Sequence, residues 1–565
     1  MAGRVAAGQN YILSSVPALS AIYTACRRIG ARPAARLLLA MSCGALISST
    51  WLRPAGNPEA TARGYQRFRE VLSYVDRDYA DSVDTDGLAD YAVGQLLEKL
   101  DPHSVYIPAR DRARTDAFLQ SDYDGVGLEL NRYRDTLTVV APLSGGPAEQ
   151  AGVQPGDQLL RLGSRRVAGA QLPDQELAQL LRGPAGSTLT LTLRRRRLPQ
   201  PLVLTLTRSR LASTSVEAAL LLEDGQTGYI KVSRFAANTY DEFHAALAEL
   251  RRQGLTRLVL DLRGNPGGYL DRATRLADEF IGGSRKIVYT EGRGEQYNTQ
   301  TYAHLAGEFE DGPLVVLVDE GSASAAEVVA GALQDHDRAL LVGRRTFGKG
   351  LVQQPITLSD GGELRLTVAR YFTPSGRSIQ KPYGLSSSDY DNEVAERARR
   401  GELQSADSIH QRRALRYRTD HGRPVYGGGG IVPDVFVPRD SLAHSAYFTG
   451  LLSHGLLRGF ALLFFQQHQD ELAGLRFAEF QKAFVVSDAE LTTLATQAAR
   501  DGLAVRPDAV RRCAPLLRNQ LKAYVAKSAY GDAAYYGVLR EYDRELQRAL
   551  VAVRDTSALL ALTGK

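Results

Sequence analysis

The 565-residue chain is poor in sulfur and in lysine, with three cysteines, two methionines and nine lysines against sixty arginines. Cys26 and Cys43 fall in the first fifty residues and leave Cys513 alone in the body, so neither a disulfide framework nor a cysteine-rich zinc site can be built. The nine histidines include no His-x-x-x-His pair. Nothing in this inventory asks for a metal or another cofactor. Long polar tracts are missing, and with 44% hydrophobic and 23% charged residues a chiefly disordered chain is excluded. Long apolar runs are scarce too, which excludes a polytopic membrane protein. Acidic residues are absent from residues 1–52, where Arg4, Arg27, Arg28, Arg32 and Arg36 supply five of the six net positive charges. The remainder is close to neutral, which removes most of the support for nucleic-acid binding.

What those first residues do have is an uncharged run of sixteen, Leu37 to Leu52, behind the arginines. Basic residues followed by an apolar run predict export to the cell envelope, periplasmic, with the arginines left in the cytoplasm. The run is shorter than the roughly 20 residues that comfortably span a bilayer, so a cleaved signal and a retained membrane anchor both stay open for residues 1–58. A buried helix is the alternative reading.

Residues 59–119 read as helical: Tyr65, Phe68, Val71, Leu72 and Val75 recur at three- and four-residue spacing. Over 120–209 the period drops to two. Gly127 to Leu130, Thr136 to Val140 and Thr188 to Leu193 alternate as strands, with a short helix at 146–152 and a Pro155-Gly156-Asp157 turn. The run Arg194 to Arg197 sits where a hairpin joins two strands and reads as a solvated loop. Over 210–440 strands and helices alternate, with buried-strand runs at 257–262, 313–318 and 339–343 and helices at 271–280 and 325–334. That order predicts βαβ units and a largely parallel sheet. Residues 441–565, rich in Ala, Leu and Gln at helical spacing, read as a separate helical tail.

Open α/β sheets place ligands at the carboxyl ends of their strands. After the 257–262 strand stands Arg263-Gly264-Asn265-Pro266-Gly267-Gly268, where adjacent glycines can present N–H groups to an anion or oxyanion, or form a plain turn. After the 313–318 strand stands Asp319-Glu320-Gly321-Ser322-Ala323-Ser324-Ala325-Ala326-Glu327. A serine heading a helix gains from backbone donors and the helix dipole as a nucleophile. Equally, Ser324 with Glu327 fits a capping box, and local reasoning does not separate Ser324 from Ser322. The third segment is Thr346-Phe347-Gly348-Lys349-Gly350-Leu351-Val352-Gln353. In a chain that uses arginine for nearly all its cations, a lysine between glycines is either a solvent-facing turn residue or a group that must lose its proton, which arginine does not do. Without a metal signature or a His-Asp pair, Ser-Lys is the simplest nucleophilic scheme. Lys349 and Gln353 would lie about 13 Å apart on a strand and about 6 Å apart on a helical turn. If Gln353 orients Lys349, the segment must be coiled.

With Leu100-Asp101-Pro102-His103-Ser104, Gly125-Val126-Gly127-Leu128, Ala369-Arg370-Tyr371-Phe372-Thr373-Pro374-Ser375-Gly376 and Gly430-Ile431-Val432-Pro433-Asp434 added in order, the chain resembles the carboxyl-terminal processing peptidases. These are tail-specific serine proteases of the S41 group, and the resemblance spans about residues 60–440. It implies a multidomain α+β fold: a helical N-terminal segment (59–119), a PDZ domain (120–209), a crotonase-like α/β protease core (210–440) and a helical C-terminal extension (441–565). It implies Ser324 as nucleophile, Lys349 as general base and Gln353 as its orienting partner. The oxyanion donors would be the N–H of Ala325 and one from Gly267 or Gly268. Gly125, Val126, Gly127 and Leu128 would receive a substrate's C-terminal carboxylate, and the following strand edge its tail. The implied partners are proteins or peptides with apolar C-termini, a second copy through residues 60–120, and an activating adaptor. Ala326 stands where many relatives have serine, and segments 384–428 and 441–565 exceed the minimal pattern. Two other readings are a noncatalytic PDZ scaffold and a crotonase-like acyl-transfer enzyme.

Overall fold

The computed structural model describes residues 58–116, 120, 122–196, 198–304, 306–384, 387–410 and 413–555. The leader, and with it the export reading, lies outside the described residues. By its contacts the chain divides into two units, residues 1–91 and 92–565. In the first, the expected helix runs Pro58–Asp78 and buries none of its residues. Tyr65, Phe68, Val71 and Tyr74 stay exposed along it.

In the second unit, the small β domain has a sheet ordered Leu128–Tyr133, Thr136–Pro142, Gln158–Leu162, Thr188–Arg194, Leu202–Thr207, closed by the helix Asp174–Leu181. Alternation works as the period predicts: Leu189, Leu191 and Leu193 point inward with Leu137, Val139 and Leu159. The arginine run departs from expectation. Arg194 and Arg196 are exposed, but Arg195 pairs with the buried Asp157 at 2.7 Å and donates to the Gly152 carbonyl. Asp157 is 1% exposed, and a buried carboxylate needs a paired cation. Arg197 lies outside the described residues.

The protease-like core holds a six-stranded sheet ordered Val216–Leu221, Thr227–Val232, Arg257–Asp261, Leu314–Val318, Leu340–Gly343, Val435–Phe436. All neighbours run parallel except the first pair. Leu314–Val318 is buried at every position, as a strand covered on both faces must be. The helices Thr239–Arg252, Leu270–Asp278 and Ala325–Asp335 supply one cover, with Phe243, Leu247, Leu276 and Val329 in its core. A second sheet, built on the long strand Glu363–Phe372, carries Val105–Ile107, Leu351–Thr357 and Lys286–Gly292 beside it.

Residues 441–555 are largely helical but are not a separate tail. Its helices from Ala446–Ser453 to Asp532–Leu539 pack around Leu451, Leu457, Phe480, Leu494 and Leu517. This bundle docks on the small β domain, where Arg458 and Lys527 pair with Glu129 and Gln497 donates to the Tyr133 hydroxyl at 2.8 Å. The final helix among the described residues, Arg544–Arg554, starts where the Asp543 carboxylate accepts the Leu546 N–H. Its stripe of Leu546, Ala549, Leu550 and Val553 covers the second face of the central sheet, over Val259, Val315, Leu317 and Val342. Helical spacing predicts a helical region here; only the tertiary arrangement shows that this stripe completes the core. Among the described residues no single helix is long and apolar enough to cross a membrane.

Candidate active site

Three loops meet at the carboxyl ends of the central strands. The first follows Leu314–Val318. Ser322 is fully buried, donating to the Leu262 carbonyl at 2.8 Å and accepting the Asp319 N–H, so it staples its turn to the neighbouring strand. Ser324, two residues on, lines a cavity of about 640 Å³. Geometry thereby separates the two serines that local sequence could not. Ser324 sits at φ +53° and ψ −116°, a rare conformation for a residue with a Cβ, held at the head of the wholly buried helix Ala325–Asp335.

The second loop follows Arg257–Asp261. Asn265, fully buried, donates to the Val232 carbonyl and accepts the Gly267 N–H at 2.8 Å. Gly267 has φ +98°, and a Cβ there would lie 2.7 Å from the Ser324 Cβ and 2.9 Å from the Ala325 nitrogen. Any side chain at 267 would therefore push the serine turn away. Since the Gly267 N–H is taken by Asn265, Gly268 is the glycine left to donate; it lines the cavity together with Ala325.

The third loop, 345–350, carries Lys349, which lines the same cavity. Its path is set by Glu327, a residue the sequence offered only as a capping partner. The Glu327 carboxylate is fully buried and accepts four hydrogen bonds: from the N–H of Ser324 (2.9 Å), Gly348 (2.7 Å) and Lys349 (2.8 Å), and from the Thr346 hydroxyl. Burial pushes its pKa up to about 7 against the pull of these donors. The Tyr371 hydroxyl, also buried, reaches both the Ser324 and Lys349 carbonyls. Burial holds the Lys349 amine below the usual lysine range, opposed by the charges of Glu327 and Asp101. Among the described hydrogen bonds none joins Ser324 Oγ to Lys349 Nζ.

The condition set for Gln353 is not met. Leu351–Thr357 is a strand with a bulge between Val352 and Gln353, so the segment is extended and not coiled. Gln353 lines the cavity, but its amide donates to Thr367 Oγ1 at 3.4 Å. Thr367 in turn donates to Asp101, whose carboxylate also accepts the His103 and Ser104 N–H groups and the Ser104 hydroxyl. Pairing of Leu351–Thr357 with Glu363–Phe372 overrides the helical alternative. His103 faces the cavity, and burial, with the charge of Lys349, pushes its pKa down to about 4, so it is neutral near pH 7.

In the small β domain, Gly127 takes φ +74° while the Val126 and Gly127 carbonyls accept the Ala148 and Leu143 N–H groups. Leu128–Tyr133 follows as an outer strand of its sheet. Among the described residues no cluster of three or more His, Cys, Asp or Glu is placed to hold a metal.

Residues 226–387 match Peptidase family S41, residues 138–195 match the PDZ domain, and residues 447–531 match a family of unknown function. A carboxy-terminal-processing protease of Bartonella bacilliformis is 34% identical over 328 residues, 57% of this chain and 74% of that protein. A carboxyl-terminal-processing protease of Synechocystis is 40% identical over 296 residues, 51% of this chain and 68% of that protein. Among solved structures, the photosystem II D1 C-terminal processing protease is 28% identical, covering 66% of this chain and 93% of that one with a TM-score of 0.33.

Glu327→Gln tests the buried carboxylate. An amide would turn an NH₂ toward at least one of four donors, so the variant should keep its circular dichroism spectrum and lose turnover by about a hundredfold, as a displacement near 1 Å costs. Turnover equal to the parent's would show that Glu327 does not hold the two loops.

Proposed function

Because the chain belongs to the carboxyl-terminal-processing proteases of family S41, we propose that it is a serine endopeptidase that holds protein C-termini on its PDZ domain and cuts upstream with a Ser324–Lys349 dyad. The observation that carries this reading is the single buried carboxylate of Glu327, hydrogen-bonded to the backbones of both residues beside one cavity. Neutral Lys349 takes the Ser324 proton as Oγ attacks the scissile carbonyl carbon. The oxyanion forms against the Gly268 and Ala325 N–H groups; one such donor is worth about 3 kcal/mol of barrier. Lys349 then protonates the departing amine, and water repeats the sequence on the acyl-enzyme. The Ser–Lys hydrogen bond forms with substrate, as catalytic hydrogen bonds tighten in the Michaelis complex. Gln353 acts on Lys349 only if the strand shifts; as placed, it belongs to the Thr367–Asp101 chain.

Gly125 to Leu128 receive the tail's carboxylate, with Leu128–Tyr133 offering its edge to an added strand. The exposed row of Tyr65, Phe68, Val71 and Tyr74 supports a homodimer through the N-terminal helix. An activating adaptor stays part of the proposal as a partner that speeds a chain already able to cleave by itself.

Residues 59–565, given an unfolded protein with an apolar C-terminus, should cleave it, while Ser324→Ala should not, as read by mass spectrometry. Amidating the tail should slow cleavage by the parent. Cleavage by both forms would move the nucleophile; binding without cleavage by either would favour the scaffold reading. The rate should rise with pH as Lys349 loses its proton, with a midpoint below the usual lysine value of about 10.4; a pH-independent rate would remove Lys349 as base. Val71→Asp with Tyr74→Asp should give a monomer by light scattering, and an unchanged mass would refute the helix-mediated dimer.

A further inference from the structure

The loop bearing Lys349 is buried and irregular, so each of its backbone groups needs a partner from elsewhere. Its amides are met by residues of the core: Thr346 donates to the Ile431 carbonyl, Phe347 to the Ser322 carbonyl, and Gly348 and Lys349 to Glu327. Its carbonyls are met differently. The Arg397 guanidinium donates to the carbonyls of Thr346 (2.7 Å) and Phe347 (3.1 Å), with a longer contact to Arg345 (3.4 Å). Arg397 is fully buried on the helix Glu393–Arg399, and its Nε donates to Glu393 at 2.7 Å. Beside it, the ammonium of Lys381 lies 3.7 Å from the Phe347 ring and 4.0 Å from the Tyr390 ring, and pairs with Glu393. Tyr390 carries the contact onward to the cavity wall, its hydroxyl 2.8 Å from His103 Nε2.

We propose that Arg397 is a positioning residue for Lys349, and that the helix Glu393–Arg399 is the brace that fixes the general-base loop. The inference rests on the reading of Lys349 as base. The guanidinium suits this place because it is planar, keeps its charge when buried, and spreads five donors across neighbouring carbonyls; an ammonium has three donors at one point. Without Arg397, two or three buried carbonyls lose their donor and Glu393 loses a partner, so the loop moves toward water. Lys349 follows it, is less desolvated, and keeps its proton to higher pH.

The test is Arg397→Ala in the full chain. Expected are a fall in kcat of about a hundredfold with KM unchanged, a pH–rate midpoint moved upward, and faster hydrogen exchange at the Gly348 and Lys349 amides. Millimolar guanidinium should restore part of kcat in this variant and none in the parent. Should the variant not fold, Arg397→Lys carries the same kinetic and exchange readouts. A kcat and pH midpoint equal to the parent's would overturn the proposal. So would a kcat that falls only with the folded fraction, with the midpoint unmoved and no rescue. Activity surviving in Lys349→Ala would sink the base assignment instead, while the exchange measurement would still report whether Arg397 holds the loop.

Discussion

A single desolvated carboxylate organises this molecule's chemistry. Glu327 lies one helical turn beyond Ser324, and its two oxygens face only donors, drawn from the serine turn and from the lysine loop. A fully buried carboxylate is tolerable only when its lone pairs are filled, so the groups that fill them are held as firmly as the carboxylate is buried. The positive φ of Ser324 fits the same logic. A backbone conformation costing about 1–3 kcal/mol persists where its surroundings over-determine it, and here the Ser324 N–H, the Gly267 contact and the Tyr371 hydroxyl all do so.

Charge repeats the pattern one layer further from the cavity. Asp261 and Arg263, at the mouth of the glycine loop, join Asp543 and Glu545 of the final helix, and Glu545 also meets Arg344, at the start of the lysine loop. Arg344 pairs in turn with Glu320 in the serine turn. All three loops around the cavity are thereby fastened to one helix N-terminus. Such a cluster adds little net stability compared with apolar packing, but removing one member strands the others and costs about 3–5 kcal/mol. Its value lies in fixing geometry.

The chain makes the parallel sheet, the alternating β domain and the helical C-terminal region legible because each rests on local periodicity. Glycines 267 and 268 were legible as an adjacent pair free to present N–H groups; the structure adds that a Cβ at 267 would meet Ser324 and one at 268 the Phe235 backbone. What could not be read were relations across the sequence. Ser322 and Ser324 look alike until one hydroxyl is found buried against Leu262. Glu327 looked like a cap because its second partner lies some twenty residues away, in the lysine loop. Gln353 could orient Lys349 only on a coiled segment, and strand pairing with Glu363–Phe372, a relation across the sequence, keeps the segment extended. Asp101 appeared as part of a motif with no indication that it fills the end of a hydrogen-bond chain from Gln353.

The closing helix also bears on the order of events in synthesis. Arg263 and Asp543 are separated by 280 positions, and Arg344 and Glu545 by 201. A ribosome therefore releases the serine turn, the lysine loop and the glycine loop well before it makes the helix that seals the sheet beneath them. Until residue 554 has emerged, Val259, Val315, Leu317 and Val342 lack this helix's cover, and Arg263 and Arg344, though paired with Asp261 and Glu320, lack Asp543 and Glu545. Closing so long a loop makes this contact slow to form. The three loops are in this way made before the helix that fixes them, and their rigid arrangement waits on contacts that form 201 to 280 residues of synthesis later.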